Sequence, residues 1–372
     1  MRHDSSDQGR GVNGSGVRQR LAGSRIPLAE AFGATVAGMI AASADAHALL
    51  AAYPALDLHA DTLMWSRWIG YDLLSRHTPP LPRAALGGHV DIPRMTEGGM
   101  GGQFFGLVSL PFLGRSGGLA RTVHEQIDAL DETLARSGGK LRKVRTAAEV
   151  AECQADGAVS ALLGIEGAHA LEGDLEQLDA FRRRGVRYLG LSHFSANEAC
   201  YPAYGRGRLD AEGLTRFGHS VVDRCEDLGV IVDLAHINKR GYLDVCRRAK
   251  KPPIVSHTGV SGAFTHWRNI DDEQLRAVAD KGGVVGVIFC PRFVGGDGLE
   301  PIVRHIRHIV EVAGEDVPAL GSDWDGFIVP SRPLSDPTGL PLLVDALRDA
   351  QLTDAAIGKI LRGNVLRVLA TP

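Results

Sequence analysis

A chain of 372 residues with 44% hydrophobic and 23% charged side chains has the makeup of a soluble globular protein, long enough for one large domain or two ordinary ones. Its 41 basic and 44 acidic residues leave a formal net charge of −3 with no long basic block, which argues against a nucleic-acid binder. The five cysteines (Cys153, Cys200, Cys225, Cys246 and Cys290) are scattered and form no C-x-x-C pair, so a disulfide framework is not expected and a reducing, cytoplasmic location fits better.

Residues 1–25, rich in Gly, Ser, Arg and Asp, read as a disordered tail. Residues 26–53 read as a helical segment whose Ala-rich stretch "AFGATVAGMIAASADAHA" (31–48) packs on the domain. The rival reading, the core of an export signal, has Glu30 directly beside it and starts far from Met1. The stretch is also too short and too rich in Ala and Gly for a membrane span.

The remainder, 54–372, alternates short apolar runs with amphipathic helical stretches. The predicted strands are "PALDLH" (54–59), "GGQFFGLVSL" (101–110), "AVSALLGIE" (158–166) and "VRYLGLSH" (186–193), then "GVIVDLAH" (229–236), "PPIVSH" (252–257), "GVVGVIFC" (283–290) and "VPALGSD" (317–323). Most are continuous Val/Ile/Leu runs, as expected of parallel strands covered on both faces. Between them, 173–185 starts at an Asp cap and stops at Gly185, 271–283 does likewise, and 353–363 starts at Thr353. The interval 61–100, with "HTPPLP" and "GG" turns, reads as a long loop insertion.

Eight β/α units predict a closed (β/α)8 barrel; an open doubly wound sheet is the alternative. The polar residues favour the barrel. His59 and Asp61, Glu166, His193, His236, His257 and Asp323 sit at or just past the C-terminal ends of different strands, which converge on one mouth in a barrel. No Gly-rich phosphate fingerprint follows the first strand.

His59 and Asp61 stand two apart, a spacing that turns both side chains to one face of a strand. Imidazole and carboxylate are ordinary ligands for zinc and similar ions. One pair does not complete a coordination sphere; Glu166, His236 and His257 supply the missing groups. Five ligands with a carboxylate able to bridge suit two ions about 3.5–4 Å apart that share a hydroxide and lower its pKa. Taken singly, each residue has a plainer explanation: a strand-end histidine is more often a rim or core residue, and Glu166 serves equally as a helix cap. The joint pattern carries the metal reading.

At this point the sequence resembles the membrane (renal) dipeptidases, zinc exopeptidases of the amidohydrolase type, from about residue 45 to 369. The carriers are "DLHADTL" (57–63), "GGMGGQF" (98–104), "IEGAHAL" (165–171), "GVRYLGLSH" (185–193), "GVIVDLAHIN" (229–238), "PIVSHTGV" (253–260), "RNIDDEQL" (268–275), "GSDWDG" (321–326) and "GNVLRV" (363–368). The resemblance implies hydrolysis of dipeptides by a hydroxide between two Zn2+ ions. His59 and Asp61 would bind one ion, His236 and His257 the other, and Glu166 both. It also implies that His193 stabilises the oxyanion, Asp323 shuttles the proton and Arg268 clamps the substrate carboxylate. Asp325 competes with Asp323 or supports it.

Another carboxylate-bearing amide or a lactone is the alternative substrate, and a non-catalytic barrel scaffold is the alternative class. Neither nucleic acid nor a membrane is an expected partner; a homodimer is compatible with the sequence.

The remaining histidines have plainer readings. His169 reads as support for a ligand or as a helix cap, and His77, His89, His124, His219, His305 and His308 as solvated. The chain departs from the family at "VIFCPRF" (287–293), where Ile288 and Cys290 take positions that are often polar and aromatic. Tyr201, Tyr204 or Arg206, in the loop 194–209, are the candidates to compensate.

Overall fold

The computed structural model describes residues 41–111 and 118–371. The expected tail and residues 26–40 lie outside the described residues. Ala42–Pro372 forms one compact unit. Its strands are β1 Ala55–Ala60, β2 Met100–Val108, β3 Leu141–Lys143, β4 Val159–Glu166, β5 Val186–Gly190, β6 Ile231–Asp233, β7 Ile254–Thr258, β8 Val284–Val287 and β9 Pro318–Leu320. All pair in parallel. β1 pairs with β2 on one side and with β9 on the other (Asp57 opposite Leu320), and β2 passes over β3 to pair with β4. Eight strands therefore close into a ring, the expected barrel.

β3 is the unexpected ninth strand. It lies against the start of β4 (Leu141 opposite Val159), before β5 joins that strand at Leu163. Leu56, Leu58, Phe104, Leu162, Tyr188, Ile254, Val284 and Ala319 belong to one buried cluster and come from seven of the eight ring strands. Residues from opposite sides of a ring meet only inside it, so the barrel is filled.

The helices obey their caps. Asp174 accepts a hydrogen bond from the Glu176 amide at the start of Leu175–Arg184, and Gly185 ends that helix in the left-handed region. Asp271 and Gln274 form a reciprocal capping box on Asp272–Ala279.

Two expectations need correction. The interval 61–100 is not one loop: it opens with α1, Thr62–Ile69, and closes with α2, Ile92–Glu97, capped by Asp91. The last helix does not stop at Gly363, which keeps helical angles; the chain continues into Asn364–Leu369 through a widened π turn. The helix Ala44–Ala52, within the predicted N-terminal segment, is anchored by Ser43, whose amide and hydroxyl donate to Asp345 at 2.8 and 2.6 Å. Among the described residues no helix is long and apolar enough to cross a membrane. All five cysteines are free and buried.

Candidate metal centre

The strand ends deliver the polar residues to one place. Asp61 holds the N-cap position of α1 yet makes no capping bond; its carboxylate lies 3.0 Å from His59 Nε2 instead. Glu166 is the last residue of β4 and His257 lies within β7. His193, His236 and Asp323 each follow the end of a strand by three residues. His236 and Asp323 adopt left-handed backbone angles (φ 63° and 62°), a region that non-glycine residues seldom enter, Asp and His more readily than most, and that concentrates at functional sites.

Glu166 is the common neighbour. Its Oε1 lies 3.8 Å from His59 Nε2, 3.1 Å from His236 Nε2 and 3.5 Å from His257 Nε2, and its Oε2 lies 3.5 Å from His193 Nε2. Two triads result, His59–Asp61–Glu166 and Glu166–His236–His257, each with ligand atoms within 4.8 Å of one another. A third combination joins His59, His257 and Asp323.

These residues fit divalent ions. Among the described residues, His59 Nε2, Asp61 Oδ1 and Glu166 Oε2 are buried without a well-directed hydrogen bond, although the first two lie 3.0 Å apart, a costly state for polar atoms that have no ligand to meet. Two of the ring nitrogens that point away are held. His59 Nδ1 lies 2.7 Å from the Tyr188 hydroxyl, and His257 Nδ1 lies 2.9 Å from Ser256 Oγ, which donates to Asp233. Such outer partners orient ligand imidazoles. Two glycines leave room: a Cβ on Gly106 would fall 2.3 Å from Asp61 Oδ1, and one on Gly326 2.5 Å from Asp323 Oδ1.

The electrostatics agree with a cation site. Burial pushes the Glu166 carboxyl well above its usual range, and the Asp61 charge pushes it further. Burial likewise raises Asp323 to about 8, with Asp61 adding and the His59 ring opposing. Burial works against protonation of His59, but Asp61, Glu166 and Asp323 together outweigh it and raise the ring to about 10. Burial holds His193, His236 and His257 well below the usual histidine value, so these rings are neutral near pH 7. Crowded carboxylates beside neutral imidazoles form a donor set for zinc or a similar ion.

Arg268 is buried at the edge of the cluster, its Nη2 donating to the His257 carbonyl at 2.7 Å and lying 3.2 Å from His236 Nε2. Asp325 faces elsewhere: its carboxylate accepts from Thr62 Oγ1 and from the His89 amide, which makes it a brace. His169 is buried with Nε2 on the Ser109 carbonyl, away from the ligand triads.

Three expectations fail in their details. His89 and His305 are fully buried, not solvated. Each accepts a backbone N–H at Nδ1, from Asp325 and from Val260 respectively. Of the residues proposed to compensate for "VIFCPRF", Tyr204 stacks on Trp267 with ring centroids 4.3 Å apart, and neither Tyr201, Tyr204 nor Arg206 lines the cavity over the cluster. Ile288 and Cys290 are buried. Tyr188 and Gly106 carry no functional signal in the sequence, since a tyrosine and a glycine inside apolar strands look like packing residues.

The cavity measures about 380 Å3 and joins Asp61, Glu166, His193, His236, Arg268 and Asp323 to an apolar wall. A parallel barrel with this cluster at its mouth is the arrangement of a metal-dependent hydrolase. The chain matches the membrane dipeptidases, peptidase family M19, over residues 43–371, and it belongs to that family.

Among solved structures it is similar to a metallopeptidase from Rhodobacter sphaeroides, determined with a phosphinate mimic of the dipeptide L-Ala-D-Ala. The identity is 28%, the TM-score 0.76, and the match covers 85% of this chain and 98% of that one. A second structure, dipeptidase AC of family M19, is 31% identical at a TM-score of 0.76, covering 85% of this chain and 97% of that one. An uncharacterised protein encoded in the pqqA 5′ region of Klebsiella pneumoniae is 35% identical over 255 residues, 66% of this chain and 94% of that protein.

Proposed function

We propose that the protein is a zinc-dependent exopeptidase that cleaves dipeptides bearing a free C-terminal carboxylate, with two ions held by His59 and Asp61, by His236 and His257, and by Glu166 between them. The observation that carries this reading is the position of Glu166, whose one oxygen stands within 4 Å of three ligand imidazoles belonging to both triads. Divalent ions held by these residues would supply a nucleophile at neutral pH by lowering the pKa of bound water.

The chain's own residues do the rest. Arg268 offers a guanidinium fork to the substrate carboxylate. His193, neutral and packed 4.6 Å from the Phe194 ring, donates an N–H toward the carbonyl oxygen as it gains charge. Asp323, buried at the edge of the cluster with Oδ1 3.9 Å from His59 Nε2, accepts the proton released at attack and returns it to the leaving amine. The relative that holds an L-Ala-D-Ala mimic supports the substrate size.

The test is a dipeptide-library hydrolysis assay on zinc-reconstituted protein, with elemental analysis of the same sample. Two ions per chain and cleavage of free dipeptides are expected. Protein that carries two ions and cleaves only amidated or lactone substrates overturns the assignment of substrate.

A further inference from the structure

We infer that the N-terminal residue of the substrate carries a large apolar side chain, seated on an aromatic shelf beside the metal cluster. The inference rests on the dipeptidase reading and names the substrate class of that site. Phe327 lines the cavity, yet it is 46% exposed and holds a left-handed backbone (φ 59°). For a bulky aromatic residue that conformation is a real outlier, and strain of this kind collects where a side chain is being presented to a ligand.

The shelf is built firmly. The Phe327 ring packs 5.2 Å from Trp65 and 6.0 Å from Trp68, which is itself 41% exposed. The Trp65 indole N–H donates to the Asp325 carbonyl at 2.7 Å, and Gly87 leaves space for its ring, since a Cβ there would fall 2.8 Å from it. Met64 and Ile328 continue the apolar surface into the cavity. Among the described residues, Arg268 is the one cation in the cavity lining, and every carboxylate there belongs to the metal cluster or is Asp323.

Topology sets the orientation. The shelf follows β1 and β9, while Arg268 follows β7, and two of the eight ring strands intervene between β1 and β7. A dipeptide whose carboxylate meets Arg268 crosses the metal cluster and brings its N-terminal side chain toward Phe327. A charged side chain in that position meets an apolar surface and, among the described residues of the lining, no counter-ion outside the metal cluster and Arg268.

The experiment measures kcat/KM for X-Ala and Ala-X dipeptides on the zinc-loaded protein, with X as Gly, Leu, Phe, Asp or Lys. Leu-Ala and Phe-Ala should exceed Gly-Ala by about 10²-fold, given the value of each buried methylene in an apolar pocket. Asp-Ala and Lys-Ala should be the poorest. Phe327→Gly removes the ring and relieves the strained backbone, so its melting temperature should not fall, while the Leu-Ala to Gly-Ala ratio should drop by about 10-fold. Trp68→Ala should reduce the same ratio in the same direction. Equal rates for Gly-Ala and Leu-Ala, or a ratio that survives both substitutions, overturn the inference and leave the dipeptidase reading standing. A preference in the Ala-X series alone overturns the orientation. Failure to cleave any dipeptide overturns both.

Discussion

Gly106→Ala isolates the metal site from the fold. Gly106 lies in β2 with a backbone that an L-residue adopts without strain, so the backbone itself tolerates the added methyl. The space does not: the new Cβ falls 2.3 Å from Asp61 Oδ1, 2.9 Å from His59 Cε1 and 3.3 Å from His59 Nε2, where ordinary contact begins near 3.4 Å. Asp61 must retreat by about 1 Å, and a misplacement of that size at a reacting centre costs about 10²-fold in rate. Overpacking costs about 1–3 kcal/mol of stability, partly offset by about 0.4–1 kcal/mol from a stiffer unfolded chain, which leaves the metal-free protein folded. Gly101→Ala in the same strand is the control, because its Cβ would fall 2.2 Å from Gln154 Nε2 and not against a metal ligand. The assay pairs elemental analysis after dialysis against a weak chelator with melting curves of the metal-free proteins. Gly106→Ala should lose metal and activity while melting within a few degrees of wild type, and Gly101→Ala should keep both ions. Full metal content with wild-type kcat in Gly106→Ala refutes the geometry.

Other substitutions separate the roles of the cluster. Glu166→Ala should lose both ions or hold one weakly, because both triads depend on it; full two-ion occupancy by elemental analysis contradicts the shared-ligand assignment. Asp323→Asn keeps the shape of the side chain and removes the base, so kcat should fall by about 10²-fold or more at near wild-type metal content, and surviving activity would exclude it as the proton carrier. Arg268→Met should cut kcat/KM for free dipeptides by about 10²-fold or more but spare their C-terminal amides; equal losses on acid and amide would assign Arg268 to support of His236 and His257.

The barrel was legible because its strands are apolar runs that end abruptly in His, Asp or Glu, a pattern with a period and a stop. β3 was not, since Leu141–Lys143 is three residues long, two of them basic, and pairs only along the first half of β4. α1 was hidden by the turn residues that follow it. His89 and His305 look solvated in a linear reading because one follows the Gly87–Gly88 turn and the other stands between Arg304 and Arg307; the hydrogen-bond partner of His89 Nδ1 is the Asp325 amide, 236 positions away. Tyr201, Tyr204 and Arg206 lie near His193 in the chain, but Tyr204 is taken up by Trp267 and none of the three reaches the cavity.

The candidate ligands themselves could be read early for a physical reason. A buried carboxylate or imidazole at a strand end has few stable fates, and several of them together have essentially one. The supporting residues carry no such signature. Gly106 matters through a distance to Asp61, and Gly164 because a Cβ there would fall 1.9 Å from the Tyr188 ring carbon that bears the hydroxyl facing His59. Backbone strain is equally silent in sequence, yet four non-glycine residues of this mouth, His236, Asp323, Asp325 and Phe327, share the left-handed region. Two of them turn their side chains into the cluster, Asp325 braces the shelf through Thr62, His89 and Trp65, and Phe327 forms the shelf. Each such residue costs about 1–3 kcal/mol. The barrel concentrates that cost where the proposed metal ligands and substrate would meet, and the relief expected in Phe327→Gly measures one share of it directly.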